Sequence, residues 1–214
     1  MIDSDCIASP DEIERMVSRH HEAEYAAVAG SLLNGTPRSL SGWVSYLIEF
    51  REFMPTMPKR LDWKVPTANI VYRTEVLRRY GYFEADVPMG EDLLFHWKLS
   101  SGGERILFDP AIEATHLNRT GWKKVLFYQV DLGRHSAAAR RRGGLPGQIL
   151  LRHPSLILIM PFVRFKNAVK WFALHDWRTL GVFLLLSPMY LLAAFFWSVG
   201  FYREVKREGQ RPSG

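Results

Sequence analysis

Asp3-Ser4-Asp5 opens the chain, and Gly90-Glu91-Asp92-Leu93-Leu94-Phe95 follows far downstream. Each acidic cluster is set against apolar residues. An aspartate pair spaced by one residue at a strand end can hold a hard divalent cation against a diphosphate. A carboxylate pair at a helix start meets the favourable end of the helix dipole, and one oxygen can stay free as a base. Taken together the two clusters point to one metal-assisted site. Cys6 directly follows the first cluster; without a histidine close by in sequence it reads as a small buried hydrophobe rather than a nucleophile.

The elements that must position these groups alternate. Ser9-Pro10-Asp11-Glu12 is a helix start, with Ser9 as N-cap and Pro10 in the first turn, and Ile13, Met16 and Val17 supply an apolar stripe. Residues 25–33 form a short buried strand containing Gly30, and Trp43, Tyr46, Leu47 and Phe50 recur at helical spacing. Three prolines make residues 54–66 an irregular loop. A strand over 68–72 leads into a helix capped by Thr74 and stopped near Gly81, and a further helix covers 91–100 up to Gly102-Gly103. Residues 105–108 and 112–117 read as two short strands, and 121–142 as a long helix. Such alternation predicts an α/β layer structure.

The composition bounds the partners. The chain has 214 residues, 47% of them apolar, with a formal charge of +6 and a single cysteine. That excludes an internal disulfide and a cysteine-rich zinc site. The positive charge favours anionic partners such as nucleotide sugars or phospholipid headgroups. Nucleic acid is not expected, because Arg140-Arg141-Arg142 has no recognition motif beside it. Asn34-Gly35-Thr36 and Asn118-Arg119-Thr120 match the glycosylation acceptor pattern, a short pattern given no weight.

Beyond residue 145 the character changes. Residues 146–178 mix Trp171, Phe172 and Trp177 with Arg164, Lys166 and Lys170, as in a helix lying in a membrane interface. Residues 180–202 carry no charge, and Arg203, Lys206 and Arg207 follow. At about 1.5 Å per residue that run could cross a hydrocarbon core roughly 30 Å thick. Pro188 leaves a kinked span and a re-entrant hairpin both open. The organisation expected is therefore 1–145 as the α/β domain, 146–178 as an interfacial segment, and 179–214 as a membrane helix with a basic tail.

Up to about Arg142 the sequence resembles the family-2 glycosyltransferases of the GT-A fold. The pieces run in family order: Asp3-Ser4-Asp5, a Pro-Asp helix, Val28-Ala29-Gly30-Ser31, Asn69-Ile70-Val71-Tyr72-Arg73, Gly81-Tyr82-Phe83, Gly90-Glu91-Asp92, and Phe108-Asp109-Pro110 before Thr115-His116. The resemblance implies a nucleoside-diphosphate sugar as donor and a hydroxyl of a glycan or lipid-linked acceptor. It assigns Asp3, Asp5, Asn69 and Arg73 to the donor, Asp3, Asp5 and His116 to a divalent Mn or Mg ion, Asp92 to the general base, and Glu91 to orienting it. A single displacement would then invert the anomeric carbon. The setting implied is cell-surface glycan synthesis at the inner membrane, with the catalytic part facing the cytoplasm.

Family members carry several strands before the aspartate pair, including the acidic residue that reads the nucleotide base. The expected fold is thus a partial GT-A (Rossmann-like) domain lacking its N-terminal strands, followed by membrane-associated helices. The alternative expectation is a non-catalytic remnant, or a membrane-bound half that works with a partner polypeptide.

Overall fold

A computed structural model describes residues 1–209. Among the described residues five strands occur, β1 (Cys6–Ala8), β2 (Ala27–Asn34), β3 (Arg60–Leu61), β4 (Ile70–Tyr72) and β5 (Ile106–His116). The helices are α1 (Glu12–Glu22), α2 (Leu40–Phe50), α3 (Thr74–Tyr80), α4 (Glu91–Ser101), α5 (Trp122–Gly143), α6 (Ile149–Arg152), α7 (Met160–His175) and α8 (Trp177–Gly209), with a 3-10 turn over Pro154–Ile159. The chain divides into two compact units. One comprises Met1–Pro37 and Phe50–Asn118, the other Arg38–Glu49 and the chain from Arg119 onwards.

The first unit is a mixed α/β layer structure. Its sheet runs β1-β5-β2-β4, and β3 also pairs with β5. β2 and β5 are parallel and the remaining pairings antiparallel. β2 is buried from Ala27 to Leu32, the continuous apolar run of a strand covered on both faces. Met16 of α1 closes on Val28, Leu107 and Ile112; full burial of side chains of this size stabilises by about 1.5–3 kcal/mol each. The cap at α1 differs from expectation. Asp11 occupies the N-cap, and Ser9 donates to its carboxylate at 3.2 Å. Pro10 therefore lies just outside the helix. At the other end of the unit's helices, Gly81 adopts the left-handed conformation that ends α3, with φ of 81°.

The two short strands expected around Pro110 are one strand. β5 runs through the proline because it carries a bulge: opposite β2 the register jumps from Gly30↔Asp109 to Ser31↔Glu113. Pro110 lies in the bulge, where its missing N–H costs no ladder bond. Ser31 Oγ donates to Pro110 O at 2.9 Å, and Asn69 Nδ2 donates to Ser31 O at 3.2 Å. Only glycine fits at position 30, since a Cβ there would stand 2.3 Å from Ile112 O and 2.4 Å from Asn69 Nδ2. The bend delivers the far half of β5, ending at His116, to β1.

The second unit is helical. α5 and α8 approach backbone to backbone. A Cβ on Gly133 would lie 2.0 Å from Trp197 O, and one on Gly200 1.9 Å from Val130 O; small residues at a crossing permit this distance. α7 packs on α8 through aromatic rings, Phe165 and Phe172 on Phe183, and Phe162 on Phe195. α8 continues through Pro188 as one helix, so the hairpin option is closed. Its 31 residues from Trp177 to Arg207 span about 46 Å, long and apolar enough to cross a membrane. Only 33% of its most apolar stretch is buried within the protein, unlike the core helix of a soluble domain.

Candidate functional site

Asp3-Ser4-Asp5 forms a turn rather than a strand end. Before it, Ile2 bridges to Asn69, and Ile70 N–H donates to Met1 O at 3.1 Å. Within it, Cys6 N–H donates back to Asp3 O at 3.0 Å. After it, β1 pairs antiparallel with the end of β5 in the register Cys6↔His116. Residues directly opposite in such a pair project to the same face. The Cys6 thiol and the His116 ring therefore stand side by side, with Asp5 next to them.

The ligand atoms of Asp5, Cys6 and His116 all lie within 4.8 Å of one another. His116 Nε2 is 3.6 Å from Asp5 Oδ1, and His116 Nδ1 is 3.0 Å from Asn118 Oδ1. The Phe50 ring packs on the imidazole at 4.6 Å between centroids. One carboxylate and one imidazole, with solvent at Asp3 and Asp5 for further oxygens, fit a divalent cation of the manganese or magnesium type. Cys6 is the weakest donor of the three. Burial, then the charges of Asp5 and Asp3, push its thiol up to about 12, so in the absence of a cation it stays protonated. It is also only half-buried, not the core hydrophobe expected. Asp3 lies outside this group of three but in the same field: burial first, then Asp5 and Glu91, raise its pKa, while His116 lowers it.

The second acidic cluster lies within electrostatic reach of the first. Gly90, at φ 89°, turns the chain into α4, and Glu91 and Asp92 occupy its first turn. Asp92 Oδ1 accepts from Leu93 N–H at 2.7 Å, leaving Oδ2 free of that bond. Burial, followed by the charges of Glu91 and Asp3, raises Asp92 to about 6. A carboxylate titrating there is mostly ionised at neutral pH, yet basic enough to take a proton in a reaction. Beneath it lies a buried polar pair, Tyr72 Oη and His96 Nε2, 2.5 Å apart. Burial drives His96 down to about 4, so it is neutral; burial and then the Asp92 charge raise the Tyr72 hydroxyl.

Asn69 and Arg73 are placed differently from the acidic residues and His116. Asn69 is fully buried, its amide directed at the carbonyls of the bulge, and its Oδ1 has no hydrogen-bond partner among the described residues. Arg73 stands at the other end of β4, about 13 Å along an extended segment. There it donates to His20 O at 3.4 Å and lies 4.0 Å from Glu24. Sequence reasoning missed Cys6 as a neighbour of His116, and gave Asn118, Asn34, Tyr72 and His96 no part in the site. The available signal was the polar run Thr115-His116-Leu117-Asn118 beyond an apolar strand.

No protein-family model matches the chain. Over 100 residues, 47% of its length, it is 28% identical to the pre-mycofactocin glycosyltransferase of Mycobacterium tuberculosis, from strain CDC 1551 / Oshkosh and equally from strain ATCC 25618 / H37Rv. The matched stretch spans 19% of those relatives' own length. The chain is thus distantly similar to a glycosyltransferase, over under half of its residues.

Proposed function

We propose that the chain acts in glycosyl transfer of the family-2, GT-A kind. It would move a sugar from a nucleoside diphosphate to a hydroxyl of a glycan or lipid-linked acceptor, with inversion. The observation that best supports this is the electrostatic proximity of the two acidic clusters. Asp92, with its pKa raised to about 6, shares its electrostatic environment with Asp3, whose neighbours are Asp5 and His116. The distant likeness to a glycosyltransferase points the same way.

Asp92 would take the acceptor hydroxyl's proton as its oxygen bonds to the anomeric carbon, and the bond from that carbon to the diphosphate would break on the opposite side. Glu91, beside Asp92 on the first turn of α4, would orient the hydroxyl. Asp5 and His116, with Asp3 alongside, would hold a divalent ion. Such an ion offsets the charge building on the departing diphosphate, so no second carboxyl acid is required. One imidazole in the set favours manganese, the softer of the two candidates. Asn69 would serve the site indirectly, by bracing the bulge that aims β5; Arg73, engaged at the far end of β4, has no part in this scheme.

The helical unit would anchor the protein at the inner membrane with its site on the cytoplasmic side, near a lipid-linked acceptor. Besides α8, the exposed Leu158, Ile159 and Phe162 suit a lipid boundary. The test is thermal stabilisation of the detergent-solubilised chain by uridine or guanosine diphosphate with Mn²⁺. Stabilisation that requires both the metal and Asp5, and is lost in Asp5→Asn, is expected. Stabilisation by the nucleotide without metal, or none at all, would count against the scheme.

A further inference from the structure

We infer that Asn118, held in place by Asn34 and Thr36, is a positioning residue that fixes His116 in one tautomer and leaves its Nε2 lone pair directed towards Asp5. This rests on the metal-holding role proposed above for Asp5 and His116.

The hydrogens in this network can be assigned from atoms that have no choice. A backbone N–H only donates, and Thr36 N–H meets Asn34 Oδ1 at 2.9 Å. The Asn34 atom is therefore the oxygen, an acceptor. Asn118 Nδ2 lies 2.8 Å from that oxygen and 3.1 Å from the His116 carbonyl, which also only accepts. Both contacts require the NH₂ group of Asn118 on this side. Its Oδ1 must then be the atom 3.0 Å from His116 Nδ1, and so Nδ1 carries the hydrogen. The Thr36 hydroxyl closes the loop, 3.1 Å from Asn34 Oδ1 and 3.3 Å from Asn118 Nδ2.

The opposite tautomer would set two lone pairs against each other at Nδ1. Flipping the Asn118 amide to relieve that would break both of its donor contacts inside a buried site, where an unmade bond is costly. Asn118 and His116 are each 4% exposed, so water does not substitute for the lost partner. In the assigned tautomer Nε2 is an acceptor, facing Asp5 Oδ1 at 3.6 Å, a separation that a shared cation can bridge. A ligand histidine held through its other nitrogen is the general arrangement in metal sites. The network also uses the asparagines of both glycosylation-like triplets, which gives those residues a structural purpose.

The test uses the full chain in detergent, with histidine ¹⁵N ring spectra at about pH 8.5, two units above the ordinary imidazole pKa, and Mn²⁺ binding followed by electron paramagnetic resonance. His116 in the metal-free protein is expected to show the Nδ1–H signature. Asn118→Ala should give a mixture of tautomers and weaken Mn²⁺ binding about 10-fold or more. Asn118→Asp keeps an acceptor oxygen at Nδ1 but sets its other oxygen against Asn34 Oδ1 and the His116 carbonyl, so it should hold the Nδ1–H tautomer while lowering the melting temperature. An Nε2–H signature in the unaltered protein, or Asn118→Ala leaving the tautomer unchanged, would overturn the inference. If the unaltered protein binds no Mn²⁺ but has the Nδ1–H signature, the tautomer assignment stands and the metal role falls.

Discussion

Replacing Asp92 by Asn should stabilise the protein, and only at neutral and higher pH. The side chain keeps its shape, and its oxygen can still accept from Leu93 N–H. What changes is the charge. Burial, Glu91 and Asp3 raise the carboxyl from 3.8 to about 6. At about 1.4 kcal/mol per pKa unit the ionised form is disfavoured by about 3 kcal/mol. Asp92 retains some access to solvent, so about half of that, 1–2 kcal/mol, is a fairer expectation. The sign follows from linkage. A folded-state pKa above the unfolded one gives stability that is full below pH 3.8 and is lost as pH rises through about 6. The variant lacks this loss. Its melting temperature should exceed the parent's by about 2–8 °C at pH 7.5, given about 2–4 °C per kcal/mol for a chain of this size, and should converge with it near pH 4. His96, depressed to about 4, destabilises the fold as pH falls below 6.5, but does so equally in both proteins and cancels in the difference. A gap that is constant with pH, or one that widens in acid, would refute the placement of Asp92 in a buried acidic field.

Two glycines carry further predictions. Gly30→Ala should cost several kcal/mol, of the order seen for overpacked cores, because its Cβ meets backbone at Ile112 O and the buried Asn69 amide. It should also weaken Mn²⁺ binding, since the bulge it disturbs aims His116; thermal melts and metal titration check both. Gly200→Ala, with a Cβ 1.9 Å from Val130 O, should lower the melting temperature by forcing α5 and α8 apart while leaving metal affinity unchanged.

Much of the fold was legible because it is written in local patterns. The periods of α1, α2, α4 and α5 and the buried run of β2 follow directly from the spacing of apolar residues. β5 was not, because Pro110 is locally a breaker; only the non-local stitches from Ser31 and Asn69 make a bulge of it. α8 posed the same problem in reverse. Pro188 left two options open by sequence, and packing on α5 and α7 resolves them in favour of one helix. At the site, Asp3, Asp5, Glu91, Asp92 and His116 were readable as residue types at suggestive positions. Their partners were not. Asn34 and Asn118 are far apart in the chain, and their hydrogen bond exists only because β2 and β5 run parallel and end together.

The most direct measurement of the central proposal is sugar transfer itself. Membranes containing the protein, or the same protein with Asp92→Asn, would be supplied with Mn²⁺ and labelled uridine or guanosine diphosphate sugars, and labelled product counted. The account predicts transfer by the unaltered protein and its loss in Asp92→Asn, with nucleotide binding retained. Undiminished transfer by Asp92→Asn, or no consumption of any donor by either protein, would contradict it.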